Sequence, residues 1–137
     1  MKSTTVKLAL SLAAAGLFCA AAQAQAQVAV VMAHSASPLS KEQVANLYLG
    51  RSAELRLFDL PEGSATRDIF YKKAAERDAA QVKAAWSRVV FSGKGAPPRE
   101  VADAAAVKKA VAADPKAVGY IEKSAVDGSV KVVLMLE

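Results

Sequence analysis

The longest apolar run of the chain stands near its start, and its length and flanks constrain everything that follows. Lys2 and Lys7 give a positive lead, and Leu8 to Ala22 is apolar except for Ser11. Ala22-Gln23-Ala24 and Ala24-Gln25-Ala26 then place small residues at the spacing that signal peptidase reads. The run is about 15 residues, short of the roughly 20 that a membrane-spanning helix needs. Residues 1–26 therefore read as a cleaved export signal. Cys19, the one cysteine, is preceded by Leu17-Phe18 rather than small residues, so it leaves with the signal and carries no lipid. Residues 27–137 are expected to fold outside the cytoplasm without disulfides.

About 110 residues can bury one hydrophobic core but not two. The formal charge of +5 includes Lys2 and Lys7; without them 16 basic side chains face 13 acidic ones. Acids and bases alternate along the sequence. No basic stripe of the kind that tracks nucleic acid is visible, and nucleic acid is excluded as a partner.

Val28 to Met32 is a continuous apolar run and reads as a buried strand. Ser40 and Gln43 have the spacing of a capping box, ahead of a helix that puts Val44, Leu47 and Tyr48 on one face and stops at Gly50. Leu55 to Phe58 is a second strand, ended by Asp59-Leu60-Pro61-Glu62-Gly63. A helix starting at Ser64 carries Ile69, Phe70 and Ala74 inward. After a cap at Asp78, Val82, Ala85, Trp86, Val89 and Val90 keep the i, i+3, i+4, i+7, i+8 pattern of an amphipathic helix whose stripe is core. Ser92 to Pro98 is a Gly/Pro loop, and Asp103 caps an Ala-rich helix through Val111. Val118 to Ile121 and Val130 to Leu136 are the last strands, parted by an Asp127-Gly128 turn. The order β-α-β-α-α-α-β-β predicts an α/β sandwich with a sheet covered on both faces.

Enzyme constellations are absent from the pattern. One histidine and no retained cysteine assemble no His/Cys metal site. Gly93-Lys94 is followed by Gly95 where a phosphate loop needs Ser or Thr, and no Gly-x-Ser-x-Gly elbow exists. His34 could in principle serve as a base, but a lone histidine in a loop after a strand reads as a solvated polar residue. No nucleophile–base pair is visible, no cofactor is implied, and the chain reads as non-enzymatic.

Pro61 to Asp68 carries different chemistry. The first amides of a helix lack intrahelical acceptors and lie at the positive end of the macrodipole, where an anion can be held. Gly63, Ser64, Ala65, Thr66 and Arg67 form the candidate site: backbone N–H groups, two hydroxyls and a cation. From the spacing alone, an ordinary N-cap at Ser64 is the simpler account, since Gly-Ser-x-Thr is short and occurs often by chance. Ser92-Gly93-Lys94-Gly95 is a second, weaker anion candidate that also reads as a plain linker.

The motifs taken in order resemble the phosphate ABC transporter substrate-binding proteins. Pro38-Leu39-Ser40-Lys41-Glu42-Gln43 leading to Leu47-Tyr48-Leu49-Gly50 is similar to that family's Leu-Ser-x-x-Gln … Ile-Phe-Leu-Gly helix. Gly63-Ser64-Ala65-Thr66-Arg67 is similar to its Gly-Ser-Gly-Thr-Arg helix start, and Ala117-Val118-Gly119-Tyr120-Ile121 to its Gly-Ala-Ile-Gly-Tyr strand. The resemblance implies a three-layer α/β sandwich, a single lobe of a type 2 periplasmic-binding-protein fold, in a periplasmic protein that binds phosphate or a related small anion. It departs from the family in three ways. The family closes two lobes on its ligand, and this chain has material for one. Ala65 stands where glycine is usual. Leu60 stands where an arginine often contacts the anion, leaving Arg56 or Arg67 as substitutes. A single lobe leaves the site open on one side, so a homodimer or another protein is expected to supply the second lobe if binding is tight. The competing reading is an interaction module that kept the lobe and lost the ligand, presenting its surface to a membrane transporter, a sensor or a porin.

Overall fold

The structure, a computed structural model, describes residues 26–137; apart from Ala26, the expected export signal lies outside the described residues. The elements are β1 (Val28–Met32), α1 (Lys41–Tyr48), β2 (Arg56–Asp59), α2 (Ala65–Ala75), α3 (Ala79–Phe91), β3 (Arg99–Glu100), α4 (Ala104–Ala113), β4 (Ala117–Glu122), a 3-10 turn (Lys123–Ala125) and β5 (Lys131–Leu136). This is the expected order with one short strand added. β3 pairs parallel with β2, Phe58 opposite Arg99 and Asp59 opposite Glu100. Both of its residues are charged, so no apolar pattern announces it.

The sheet runs β3-β2-β4-β1-β5. β2 is parallel to β3 and β4, whereas β1 is antiparallel to both β4 and β5. All five residues of β1 are buried, as its uninterrupted apolar run requires of a strand covered on both faces. The two sides of β4 show what covers them. A Cβ built on Gly119 would fall 2.5 Å from Val107 Cγ1, so α4 lies against that side. Tyr120, one residue on, points the other way and stacks on Phe70 of α2 at 3.8 Å between centroids, with Tyr48 and Tyr71 edge-on around it. Helices thus cover both faces, giving three layers.

Local capping sets where the helices begin. Ser40 and Asp78 each complete a capping box with Gln43 and Gln81, and the side chains of Ser64 and Asp103 accept the amides of Arg67 and Ala106. α3 departs from its expected stripe. Val82 and Trp86 are buried, and Trp86 Nε1 donates to Tyr48 O at 2.8 Å. Val90, however, is 50 % exposed and Phe91 is 96 % exposed. α3 packs on the end of α1 and on α2 rather than on the sheet, so only a narrow edge of its apolar face is covered. No helix among the described residues is long and apolar enough to cross a membrane.

Candidate functional site

β2 delivers the chain to Asp59, and Leu60 to Gly63 turn it into α2. Gly63 has φ +85°, a left-handed conformation that glycine adopts without a Cβ penalty, and Ser64 N donates to Pro61 O at 3.1 Å to close the turn. Ser64 Oγ accepts the Arg67 amide at 3.3 Å, and Ser64 O accepts the Asp68 amide at 3.1 Å. The amides of Ala65 and Thr66 have no acceptor among the described residues. They stand at the positive end of an 11-residue helix.

Two shallow cavities flank this helix start. One, of about 350 Å³, lies between Ser64, Thr66 and the start of α4 at Asp103 and Ala104, so two helix N-termini meet there. The other, of about 410 Å³, lies between Ala65, Thr66 and Gln27. Glu122, the last residue of β4, lines both. Its Oε1 accepts the Thr66 hydroxyl at 2.8 Å. A carboxylate at a helix N-terminus is electrostatically favourable in its own right. It also means that any incoming anion sits beside a negative charge.

The structure therefore brings Ser64, Ala65 and Thr66 together with Glu122, which sequence reasoning missed; its one signal is a carboxylate directly following the Gly-Tyr-Ile strand. Gly63 shapes the turn and lines neither cavity. Arg67 contributes its amide to the helix start, but its side chain turns to the other side of the turn. Nη1 donates to Leu60 O at 2.9 Å and lies 3.8 Å from Glu100 Oε2, and Nε lies 3.9 Å from Asp59 Oδ1. Nor does Arg56 replace the arginine absent at Leu60: it sits at the far end of β2, paired with Asp114. This pairing, with the Lys116 amide foremost, holds the Asp114 carboxyl below its ordinary range.

Asp59 is the second feature not anticipated. It is buried in the core and accepts the hydroxyls of Tyr71, at 2.6 Å, and Tyr120, together with the Leu60 amide at 2.9 Å. Burial, reinforced by the Asp59 charge, pushes the phenols of Tyr48, Tyr71 and Tyr120 far above their ordinary value. These groups are proton donors locked into the core, not acids or bases poised for chemistry. His34 Nε2 lies 2.8 Å from Gly128 O and tethers one loop to another. No group of three or more His, Cys, Asp or Glu suited to a metal occurs among the described residues.

No protein-family model matches the chain, and no curated protein sequence does. Solved structures match its fold. An ABC-type phosphate transport receptor from Vibrio cholerae superposes with a TM-score of 0.59 at 20% identity, over 79% of this chain and 46% of the receptor. A protein described as a phosphate ABC transporter substrate-binding protein with bound phosphate, from Clostridium perfringens, superposes with a TM-score of 0.63 at 20% identity, over 79% of this chain and 45% of its own. The fold expected from the motifs is thus observed, and the chain spans just under half the length of these structures.

Proposed function

We propose that residues 27–137 form an exported, non-catalytic solute-binding domain that holds phosphate or a related oxyanion at the start of α2, with residues 1–26 directing export to the periplasm. The observation that carries this reading is the pair of acceptor-free amides at Ala65 and Thr66, residues that line the two cavities beside the start of α2. The fold shared with a receptor that holds phosphate supports it. No covalent step is involved. Oriented amides and the Ser64 hydroxyl recognise the anion, and Glu122 discriminates. An anion that retains a proton can donate it to the carboxylate, whereas a fully deprotonated one meets only repulsion.

The test is an amide NMR titration of residues 27–137 with phosphate, against chloride at matched ionic strength. Saturable shifts centred on Gly63, Ser64, Ala65 and Thr66 are expected, with sulfate weaker than phosphate and the preference reduced in Glu122→Gln. An absence of localised shifts up to several millimolar sinks the reading. It would favour a second one, which the bond from Thr66 to Glu122 and the turned-away Arg67 already suggest. In that reading the lobe is a docking module for a membrane transporter component, and Thr66→Ala changes stability but no ligand affinity.

A further inference from the structure

The cations that look dispersed along the sequence converge in space. Arg51, Arg77, Arg88 and Lys94 all line one groove of about 1020 Å³ running along α3, together with Gln81 and Ser92. No acidic side chain lines it, and none of the four cations has a carboxylate partner among the described residues. Arg77 meets only the backbone carbonyls of Ala75 and Glu76.

Two of the four are fixed by the same backbone device. Gly50 N donates to Leu47 O and Arg51 N to Asn46 O; Gly93 N donates to Val90 O and Lys94 N to Val89 O. Both are Schellman closures, with a left-handed glycine followed by the cation. Gly50 also lies tight against α3, since a Cβ there would fall 2.5 Å from Val89 Cγ2. That contact sets Arg51 beside the helix that carries Arg88. Helix ends attract cations singly, because positive charge offsets the negative end of the macrodipole. All four stand at the C-terminal ends of α1, α2 and α3, so the dipoles account for each cation singly, but not for the lack of any acid in the groove they share.

We infer that this groove binds a linear polyanion of the class of condensed inorganic phosphate chains. α3 has 13 residues, so it is about 20 Å long, and no single phosphate ion touches cations at both its ends. A concave lining suits a chain better than a planar membrane. No aromatic residue lines the groove to stack a base, which disfavours single-stranded nucleic acid. The groove lies at the C-terminal end of α2, opposite the Gly63–Thr66 turn, so it stands or falls independently of the anion site proposed above.

The test titrates the purified protein with long-chain inorganic polyphosphate by amide NMR and by polarisation of labelled polyphosphate across a salt series. Shifts on Arg51, Gln81, Arg88, Ser92 and Lys94 are expected, and log affinity falls against log salt with a slope of about −3 for four contacts. Arg51→Gln with Arg88→Gln weakens binding roughly tenfold and flattens the slope by about 1 to 2, with the remaining amide spectrum unchanged. Lys94→Gln, on an exposed loop, gives a smaller loss. The inference is overturned by no binding, by undiminished binding in the double variant, or by orthophosphate producing the same groove shifts. Equal affinity for single-stranded DNA, or tighter binding to anionic vesicles than to polyphosphate, overturns it as well.

Discussion

Asp59 shows how much one buried side chain can organise. It joins the turn that precedes α2 to the middle of β4, through Tyr71, Tyr120 and the Leu60 amide. Asp59→Ala leaves two buried phenols without their acceptor and is expected to cost about 3–5 kcal/mol, read from urea unfolding. Asp59→Asn keeps an acceptor oxygen and is expected to cost less, about 1–3 kcal/mol. The pH dependence lies on the alkaline side. All three tyrosines of the chain are buried with raised pKa values, so above pH ~10 the unfolded chain releases protons that the folded one retains. Stability is full below that pH and falls above it by about 4 kcal/mol per unit for three phenols. Tyrosinate absorbance should therefore rise only together with loss of the folded circular dichroism signal. An independent tyrosinate titration preceding unfolding would contradict the burial. None of this was legible in the sequence, where Asp59 reads as a strand-ending turn residue. Its partners lie 12 and 61 residues away, beyond any local pattern.

At the scale of elements, legibility followed the range of the interaction. The caps at Ser40, Ser64, Asp78 and Asp103 were readable because the bonded amide is three residues on. β3 was not readable, because pairing with β2 creates it, and the groove along α3 was not, because three helix ends meet there. The helix start at Ser64 was read, yet its Glu122 neighbour comes from β4, 56 residues after Thr66. Two substitutions probe how these elements fit. Ser64→Ala removes the acceptor of the Arg67 amide and is expected to cost about 1 kcal/mol, measured by thermal unfolding, while weakening phosphate-induced shifts. Gly119→Ala forces β4 and α4 apart at Val107 and is expected to cost about 1–3 kcal/mol, with amide shifts spreading along α4.

For the whole molecule, the decisive fact is that one lobe stands where the matched receptors have about twice the chain. Two or three hydrogen bonds to a charged ligand contribute about 1.5–3 kcal/mol each, and association costs at least about 4 kcal/mol. If the proposed site binds phosphate, a lone lobe is expected to hold it with a Kd of about 0.1 mM or weaker. Titration calorimetry giving micromolar affinity would mean that a second copy or another protein closes the site.

The placing of β1 has a kinetic consequence. This first strand lies between β4 and β5, whose residues are synthesised roughly 90 or more positions later, so its ladder closes over almost the full length of the domain. Neither neighbour exists until roughly 90 further residues have been made. The growing chain cannot complete its sheet before then, so a domain of this topology exposes the apolar residues of its first strand for most of its own synthesis.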